Sequence, residues 1–361
     1  MSKTEVDYLE ELIAFKTVTG DRNESKKCAQ YCANFFKSLG LRTQIVEYSG
    51  YPNVVATTQD TKKPKILLQA HMDVVPAKDE LFKLDKTNDK LSGRGAFDMK
   101  FACASYFRVL ERLSKPANKY DFGIMLSFDE EIGGTNGVKA LLDDGYSCKI
   151  CILPDSGKDW HIETSAKGAW FVELVKKGKN AHASEPHTGI NSAEILNSAL
   201  NELLELRQKY DTSDLTLTLT KFTSGEAMNQ VPDHAEAILD IRYRNKETLS
   251  KIEAQLSEVA EKHGLHTDTK MLGACMDVDR RDKSVCEFVD IAQRVLGREI
   301  EEGHSSGSTD GRYFCDKGIP CIVLQPNGEG RHSDNEWVDR KGVEDLTEMI
   351  LQYIEKYAII D

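Results

Sequence analysis

Four short apolar runs limit how this chain can fold. They are Lys65-Ile66-Leu67-Leu68-Gln69, Phe122-Gly123-Ile124-Met125-Leu126-Ser127, Lys149-Ile150-Cys151-Ile152-Leu153 and Pro320-Cys321-Ile322-Val323-Leu324. Each is too short for a helix and lacks the alternation of a strand with one wet face. Strands that read as continuous apolar runs are buried on both faces, as in parallel sheets. Helical periodicity fills 4–16 and 25–39 before them and 99–113, 136–143 and 342–357 between and after them. The pattern predicts an α/β domain whose mostly parallel sheet is flanked by helices.

The middle of the chain follows another rule. Leu215-Thr216-Leu217-Thr218-Leu219-Thr220 alternates strictly, as a half-exposed strand does. Strands at 170–175, 235–244 and 266–272 and helices at 190–209 and 247–263 complete a β-α-β-β-α-β order, a ferredoxin-like layout. A length of 361 residues favours two domains. We therefore expect an α/β domain from 1–165 and 274–361, interrupted by an inserted domain at 166–273.

The net charge of -12 disfavours a nucleic-acid partner. No apolar run approaches the roughly 20 residues that span a bilayer, and the polar start Met1-Ser2-Lys3-Thr4 lacks a signal-peptide core. These features predict a cytoplasmic protein with no membrane partner. Nine scattered cysteines, with one Cys-x-x-Cys at Cys148 and Cys151, make no zinc ribbon and read as reduced core thiols.

The chemistry lies just beyond the apolar runs. In open α/β sheets, sites form past the carboxyl ends of the strands. The first run leads into His71-Met72-Asp73, the second into Asp129-Glu130-Glu131, the third into Pro154-Asp155 and the fourth, through a glycine loop, to His332. Asp98 stands just before the helix at 99–113. Each has an ordinary reading alone: a structural histidine, a solvated acidic pair, an N-cap, a turn. Together they put two histidines and three carboxylates at one end of one sheet. That set suits two zinc-like ions with a bridging carboxylate. A second glutamate beside a ligating one then supplies a base.

At this point the chain resembles a known family, the co-catalytic zinc peptidases and deacylases. It includes aminoacylase, succinyl-diaminopimelate desuccinylase, acetylornithine deacetylase, carboxypeptidase G and the carnosine-type dipeptidases. The resemblance rests on His-x-Asp-x-Val-Pro at 71–76, Gly-Arg-Gly-x-x-Asp-Met-Lys at 93–100 and Glu-Glu-x-Gly-Gly at 130–134. It implies that Asp98 bridges two divalent metals, most typically Zn2+ with Co2+ or Mn2+ as alternatives. His71 and Asp155 would complete one site, and Glu131 and His332 the other. Glu130 would be the general base and Asp73 the carboxylate orienting His71. A cis peptide is implied between Asp98 and Met99. In the inserted domain, His182 resembles a lid histidine that reaches the partner subunit's active site. Asn229 resembles a lid asparagine, and Arg242 and Arg312 resemble arginines that hold a substrate carboxylate. Arg242 also has an ordinary reading as a paired charge in a strand.

Two departures stand out. Phe101 follows Asp-Met-Lys where family members often have glycine, which could reshape the first helical turn. Asp155 stands where aminoacylase and the desuccinylase have glutamate, and tilts the reading toward di- and tripeptides. The expected function is two-metal hydrolysis of an amide bond in a small carboxylate-bearing substrate by a homodimer. A di/tripeptidase or aminopeptidase-like exopeptidase comes first, an N-acyl-amino-acid deacylase of the acetylornithine deacetylase or succinyl-diaminopimelate desuccinylase type second. Gly303-His304-Ser305-Ser306-Gly307 also matches the nucleophile-elbow pattern, leaving a remote serine-hydrolase reading through Ser305.

Overall fold

The computed structural model of the chain describes residues 3–305 and 307–360. They form two compact units. One comprises the chain up to Thr164, Val278–Ser305 and the chain from Thr309 on; the other comprises Ser165–Asp277 with Gly307 and Ser308.

In chain order the first unit opens with α1 (Glu5–Ile13), α2 (Arg22–Ser38), β1 (Arg42–Tyr48), β2 (Tyr51–Thr57), β3 (Ile66–His71), α3 (Lys100–Leu113), β4 (Phe122–Ser127), α4 (Val138–Asp143) and β5 (Ile150–Leu153). The second unit runs β6 (Gly168–Lys177), α5 (Ser192–Leu206), β7 (Leu215–Ser224), β8 (His234–Tyr243), α6 (Lys246–His263) and β9 (His266–Gly273). The first unit resumes with α7 (Lys283–Leu296), α8 (Gly311–Asp316), β10 (Cys321–Val323) and α9 (Arg340–Tyr357).

The main sheet has six strands in the order β1-β2-β4-β3-β5-β10. The four apolar runs are its parallel part: β3 pairs with β4 and β5, and β5 with β10, all parallel. Every residue of β3, β4 and β5 is buried, so both faces of the sheet are covered. The β1–β2 hairpin adds an antiparallel edge that the apolar runs do not announce. Most β1 side chains are exposed or half-exposed, so its sequence Arg-Thr-Gln-Ile-Val-Glu-Tyr carries no core signal. Pro52 in β2 argues against an inner strand. It is tolerated because the pairing of β2 with β4 begins only at Val54.

The helix ends show why the motif residues sit where they do. Thr4 caps α1, with Asp7 returning the bond to the Thr4 N–H. At the other end, the Lys100 ammonium donates to Leu12 O at 3.1 Å and Phe15 O at 2.8 Å. A cation is favoured at a helix carboxyl end, where carbonyls lack partners. Lys100 is fully buried, and burial lowers its pKa. Phe101, the departure noted above, is fully buried, and α3 starts regularly at Lys100.

The second unit is a four-stranded sheet in the order β7-β8-β6-β9, antiparallel throughout. Its core joins Val172, Leu174, Leu239 and Ile241 of the sheet to Leu196 and Leu200 of α5 and Ile252 and Leu256 of α6. The alternating pattern of β8 puts every second residue into that core. β7 is an edge strand of this sheet, with Leu219 and Phe222 exposed.

No helix among the described residues is long and apolar enough to cross a membrane. The cysteines are free thiols, and Cys28, Cys32, Cys103, Cys151 and Cys321 are buried, as core filler would be.

Candidate metal centre

Parallel pairing brings the carboxyl ends of β3, β4, β5 and β10 to one edge of the main sheet. His71 is the last residue of β3 and lies opposite Ser127, the last of β4. Just past Ser127, the Asp129–Gly134 turn carries Glu130 and Glu131. Gly134 holds a left-handed φ of 65°, and a side chain there would collide with Asp310 Oδ1. Asp155 follows β5, and His332 follows the loop after β10 with φ 61°, a backbone conformation uncommon for a residue other than glycine.

The side chains converge in two groups, His71–Asp98–Asp155 and Asp98–Glu131–His332, whose donor atoms lie within 4.8 Å of one another. Asp98 belongs to both. Its Oδ1 is 3.0 Å from His71 Nε2, and its Oδ2 is 3.2 Å from His332 Nε2. His332 Nε2 is 3.0 Å from Glu131 Oε2, and His71 Nε2 is 3.7 Å from Asp155 Oδ1. The ordinary readings fall away one by one. α3 has no side-chain cap, so Asp98 is not an N-cap. Glu131 and Asp155 have side chains only 6% exposed, so neither is a solvated surface acid. The Asp98–Met99 peptide is cis, as the resemblance implies.

Nitrogen and oxygen donors this close could share an ion with bonds of about 2.0–2.2 Å. Electrostatics favour the same occupant. Burial pushes Glu131 up to about 7, and the nearby Asp98 charge adds to the shift. Burial, then the charges of Asp155, Asp310 and Asp98, hold Glu130 well above the usual carboxylate range. Burial opposes a charged His71, but hydrogen bonds to Asp155, Asp73 and Asp98 outweigh it and raise its pKa. Packed carboxylates in a desolvated place are costly unless cations neutralise them.

A second ring of contacts fixes the donors. Asp73 is fully buried and lies 3.5 Å from His71 Nδ1, whose own close partner is the Asp73 carbonyl at 3.0 Å. Its carboxylate also accepts the Glu130 and Glu131 N–H groups, each at 3.2 Å, and the Thr19 hydroxyl at 2.9 Å. One acid thus ties β3 to the turn that carries the two glutamates. Glu336 accepts the N–H groups of Phe97 and Asp98 at 2.9 and 3.0 Å and pairs with buried Arg94 at 2.5 Å. Thr309 Oγ1 donates to Asp155 Oδ2 at 2.7 Å. Sequence reasoning places Arg94 inside a motif but gives it no role, and it misses Thr19, Thr309 and Glu336. No periodicity or spacing marks those three.

Arg312 is buried, and its guanidinium donates to Gly133 O at 2.8 Å and Thr309 O at 3.3 Å, bracing the glutamate turn. The second unit carries the other residues. The Ala181–His182 and Gln230–Val231 strands pair, and Ala183 N donates to Asn229 O at 2.9 Å, so the His182 and Asn229 motifs adjoin. Both residues are exposed, and together they line a shallow concavity. His182 Nδ1 is 2.7 Å from Ser184 Oγ. Arg242 pairs with Asp240 through two bonds of 2.7 and 3.1 Å, as the ordinary reading anticipates. Ser305 ends a short strand, Glu302–Ser305, outside the six-stranded sheet. A nucleophile elbow needs a strand of that sheet, a sharp turn and a helix, so the serine-hydrolase reading finds no support there.

The chain is similar to known proteins over most of its length. The model of Peptidase family M20/M25/M40 matches residues 67–356. A succinyl-diaminopimelate desuccinylase of Rickettsia felis is 26% identical, over 97% of this chain and 98% of the relative. Among solved structures, aminopeptidase PepT of Bacillus cereus superposes with a TM-score of 0.80 at 23% identity, covering 98% of each chain. A tripeptidase of Staphylococcus aureus superposes with a TM-score of 0.79 at 22% identity, covering 98% of this chain and 97% of its own.

Proposed function

Because the chain belongs to Peptidase family M20/M25/M40, we propose that it is a two-metal hydrolase that cuts an amide bond in a small, carboxylate-bearing peptide. Members of this family are dinuclear metal-dependent hydrolases, and the two donor groups form a candidate site for such a pair. In this proposal His71 and Asp155 would hold one ion and Glu131 and His332 the other, with Asp98, common to both groups, available to each. Zn2+ is the first choice, because the set mixes imidazole with carboxylate; Co2+ and Mn2+ fit the same donors.

When bound, two such ions polarise the amide carbonyl and lower the pKa of a water toward about 7. The chain's own residues do the rest. Glu130, which belongs to neither donor group, accepts the water proton and delivers it to the leaving nitrogen. Asp73 keeps His71 oriented. His182 donates to the developing oxyanion from a second subunit. Arg242 and Arg312, with Asn229, take the substrate carboxylate; for this Arg312 exchanges a carbonyl for a charge-assisted partner, which is the stronger bond.

The observation that carries this reading is the sharing of Asp98 between two donor groups beside an acid that belongs to neither. Asp155 in the fourth position favours a di/tripeptidase or aminopeptidase-like exopeptidase. An N-acyl-amino-acid deacylase is the second reading, because curated relatives are named succinyl-diaminopimelate desuccinylase. A cytoplasmic homodimer joined through β7 completes the proposal, since β7 is an edge strand that exposes Leu219 and Phe222 and exposed apolar edges are usually covered. The test is turnover of dipeptides, tripeptides and N-acyl amino acids with zinc, manganese or cobalt added. Activity that chelation abolishes and metal restores is expected; chelation-resistant activity that an active-site serine reagent blocks would overturn it.

A further inference from the structure

A cavity beside the donor groups holds a buried acid with no role in the proposal above. It has a volume of about 570 Å³, and its walls include Phe97, Ser156, Glu163, Gln325 and Arg331. Small-molecule pockets run from ~300 to ~1,000 Å³. Phe97, Ser156 and Arg331 are the chain neighbours of Asp98, Asp155 and His332. A substrate whose amide rests at the two donor groups therefore has this space next to it.

Glu163 is only 7% exposed, and its Oε2 is buried without a hydrogen-bond partner. A buried carboxylate oxygen normally has one, and its absence calls for an explanation. The cation in the wall does not supply it. Arg331 Nη2 donates to Asp155 O and to Gln325 Oε1, and no ion pair joins Arg331 to Glu163 among the described residues. Lys158 and Glu329, more exposed in the same wall, pair with each other at 3.8 Å. Arg331 acts on Glu163 through space but makes no bond to it, so Glu163 is the buried carboxyl of the wall with an oxygen that lacks a hydrogen-bond partner. Burial pushes its carboxyl up to about 7, a cost that a bound cation would relieve.

We infer that this cavity is a subsite for a substrate ammonium group and that Glu163 is the carboxylate that pairs with it. The inference rests on the amide-hydrolase reading and deepens it. In a small peptide the ammonium is either the free N-terminus or a lysine side chain. The same charge repels an acyl group ending in a carboxylate, such as succinyl, so the subsite discriminates by repulsion as well as attraction. Glu163 is a specificity-determining residue and takes no part in bond breaking.

The test uses the metal-loaded full chain and four ligands: trialanine, N-acetyl-trialanine, N-acetyl-Lys-Ala-Ala and N-succinyl-alanine. Turnover is measured on the wild type and on Glu163→Gln. Calorimetric binding is measured on both with Glu130→Gln added, a readout independent of catalysis. If the N-terminus is the ligand, N-acetylation of trialanine weakens binding about 10- to 100-fold in the presence of Glu163 and has little effect in the Glu163→Gln variant, which has no charge there. If a lysine side chain is the ligand, N-acetyl-Lys-Ala-Ala instead loses that much affinity on Glu163→Gln. N-succinyl-alanine binds better to the variant in either case. Above pH 7, where Glu163 ionises, the variant's melting temperature should hold or rise, because a neutral amide replaces a buried carboxylate without a hydrogen bond. Equal binding of the ammonium ligands by both proteins overturns the inference. Should Glu163→Gln not fold, equal affinity of wild type for trialanine, N-acetyl-trialanine and N-acetyl-Lys-Ala-Ala overturns it alone. Charge-selective binding with no turnover of any amide refutes the hydrolase reading and leaves the subsite standing; turnover without charge selectivity does the reverse.

Discussion

The two units bury very different things. The first buries His71, Asp73, Arg94, Asp98, Lys100, Asp129, Asp155, Glu163, Asp310, Arg312 and Glu336. In the second, Ser192 is the only buried polar residue among those described, and its core is aliphatic with Trp170 and Tyr243. Its candidate functional residues, His182 and Asn229, are exposed. A buried charge costs free energy unless partners answer it. The first unit therefore gives up stability to hold a preorganised cluster, while the second packs like an ordinary domain and presents its chemistry on the outside. Substitutions should consequently do different damage in the two units.

The largest effect is expected at Glu130. Glu130→Gln keeps the shape but cannot accept a proton. kcat should fall by at least ~10²–10⁴ with metal content unchanged by elemental analysis. Near-normal turnover would remove Glu130 from the mechanism.

Next comes the buried Arg94–Glu336 pair. Glu336→Gln leaves Arg94 buried without its counter-charge and weakens the grip on the Phe97 and Asp98 N–H groups. A loss of about 3–5 kcal/mol in denaturant unfolding is expected. The exposed Lys262–Glu202 pair of the second unit is the control. Breaking it with Glu202→Gln should leave the unfolding midpoint where it was, as is usual for surface ion pairs. Equal losses at the two sites would erase the contrast between the units.

The same contrast decides what is legible in the sequence. The parallel strands and the clustering of His71, Asp98, Glu131, Asp155 and His332 can be anticipated, because burial on two faces and placement at strand ends both leave a mark in one dimension. The β1–β2 hairpin cannot, because its edge strand is mostly solvated. Helix α7 buries Val285, Phe288, Val289 and Ile291, a periodicity that a reading centred on strands does not use. The supports of the site are also invisible. Thr19 and Glu336 act through contacts distant in sequence, and an acid such as Glu163 looks like surface in the sequence until its burial is known. Arg242 is legible both ways, as a carboxylate ligand and as a paired charge in a strand, and its bonds to Asp240 two residues away fit the second reading without deciding the first.

A smaller, pH-dependent effect should belong to the metal-free first unit. Burial raises Glu131 to about 7 from 4.5, Asp310 to about 7 from 3.8 and Asp129 to about 6 from 3.8. An acid whose folded pKa is raised stays protonated in the fold while the unfolded chain ionises, so stability is lost as pH rises from the unfolded value to the folded one. Burial opposes a charged His71, but its carboxylate neighbours raise it above 6.5, so its contribution is complete below 6.5 and is lost only as pH rises beyond it. Asp98 has the opposite sign. Burial raises it, but hydrogen bonds to His332 and His71 outweigh that and lower it, so its contribution is lost below 3.8. The metal-free protein should therefore melt highest near pH 4–5 and lower steadily toward pH 7. Bound divalent ions stabilise the ionised carboxylates and should flatten that slope. Scanning calorimetry with chelator and with zinc checks this. A metal-free melting temperature that rises from pH 5 to 7 would contradict it.

The smallest change in stability is expected at His182. The ring is exposed, with Ser184 its close side-chain partner, and lies in no buried network. His182→Ala should shift unfolding by no more than about 0.5 kcal/mol. Its value lies in what else changes. If His182 donates to the oxyanion in a partner's site, kcat should fall about 10²–10³-fold with metal content and fold intact. Loss of function without loss of stability is what an exposed residue of the second unit should show, and the reverse of Glu336→Gln. Subunit mixing then tests the sharing. His182→Ala and Glu130→Gln proteins are each impaired, but in a heterodimer one site combines an intact Glu130 with an intact His182 from the other chain. Activity should return toward one working site per heterodimer under subunit exchange. Full activity of a demonstrated monomer, or no recovery despite proven exchange, would confine the site to one chain and leave the exposure of His182 without a function.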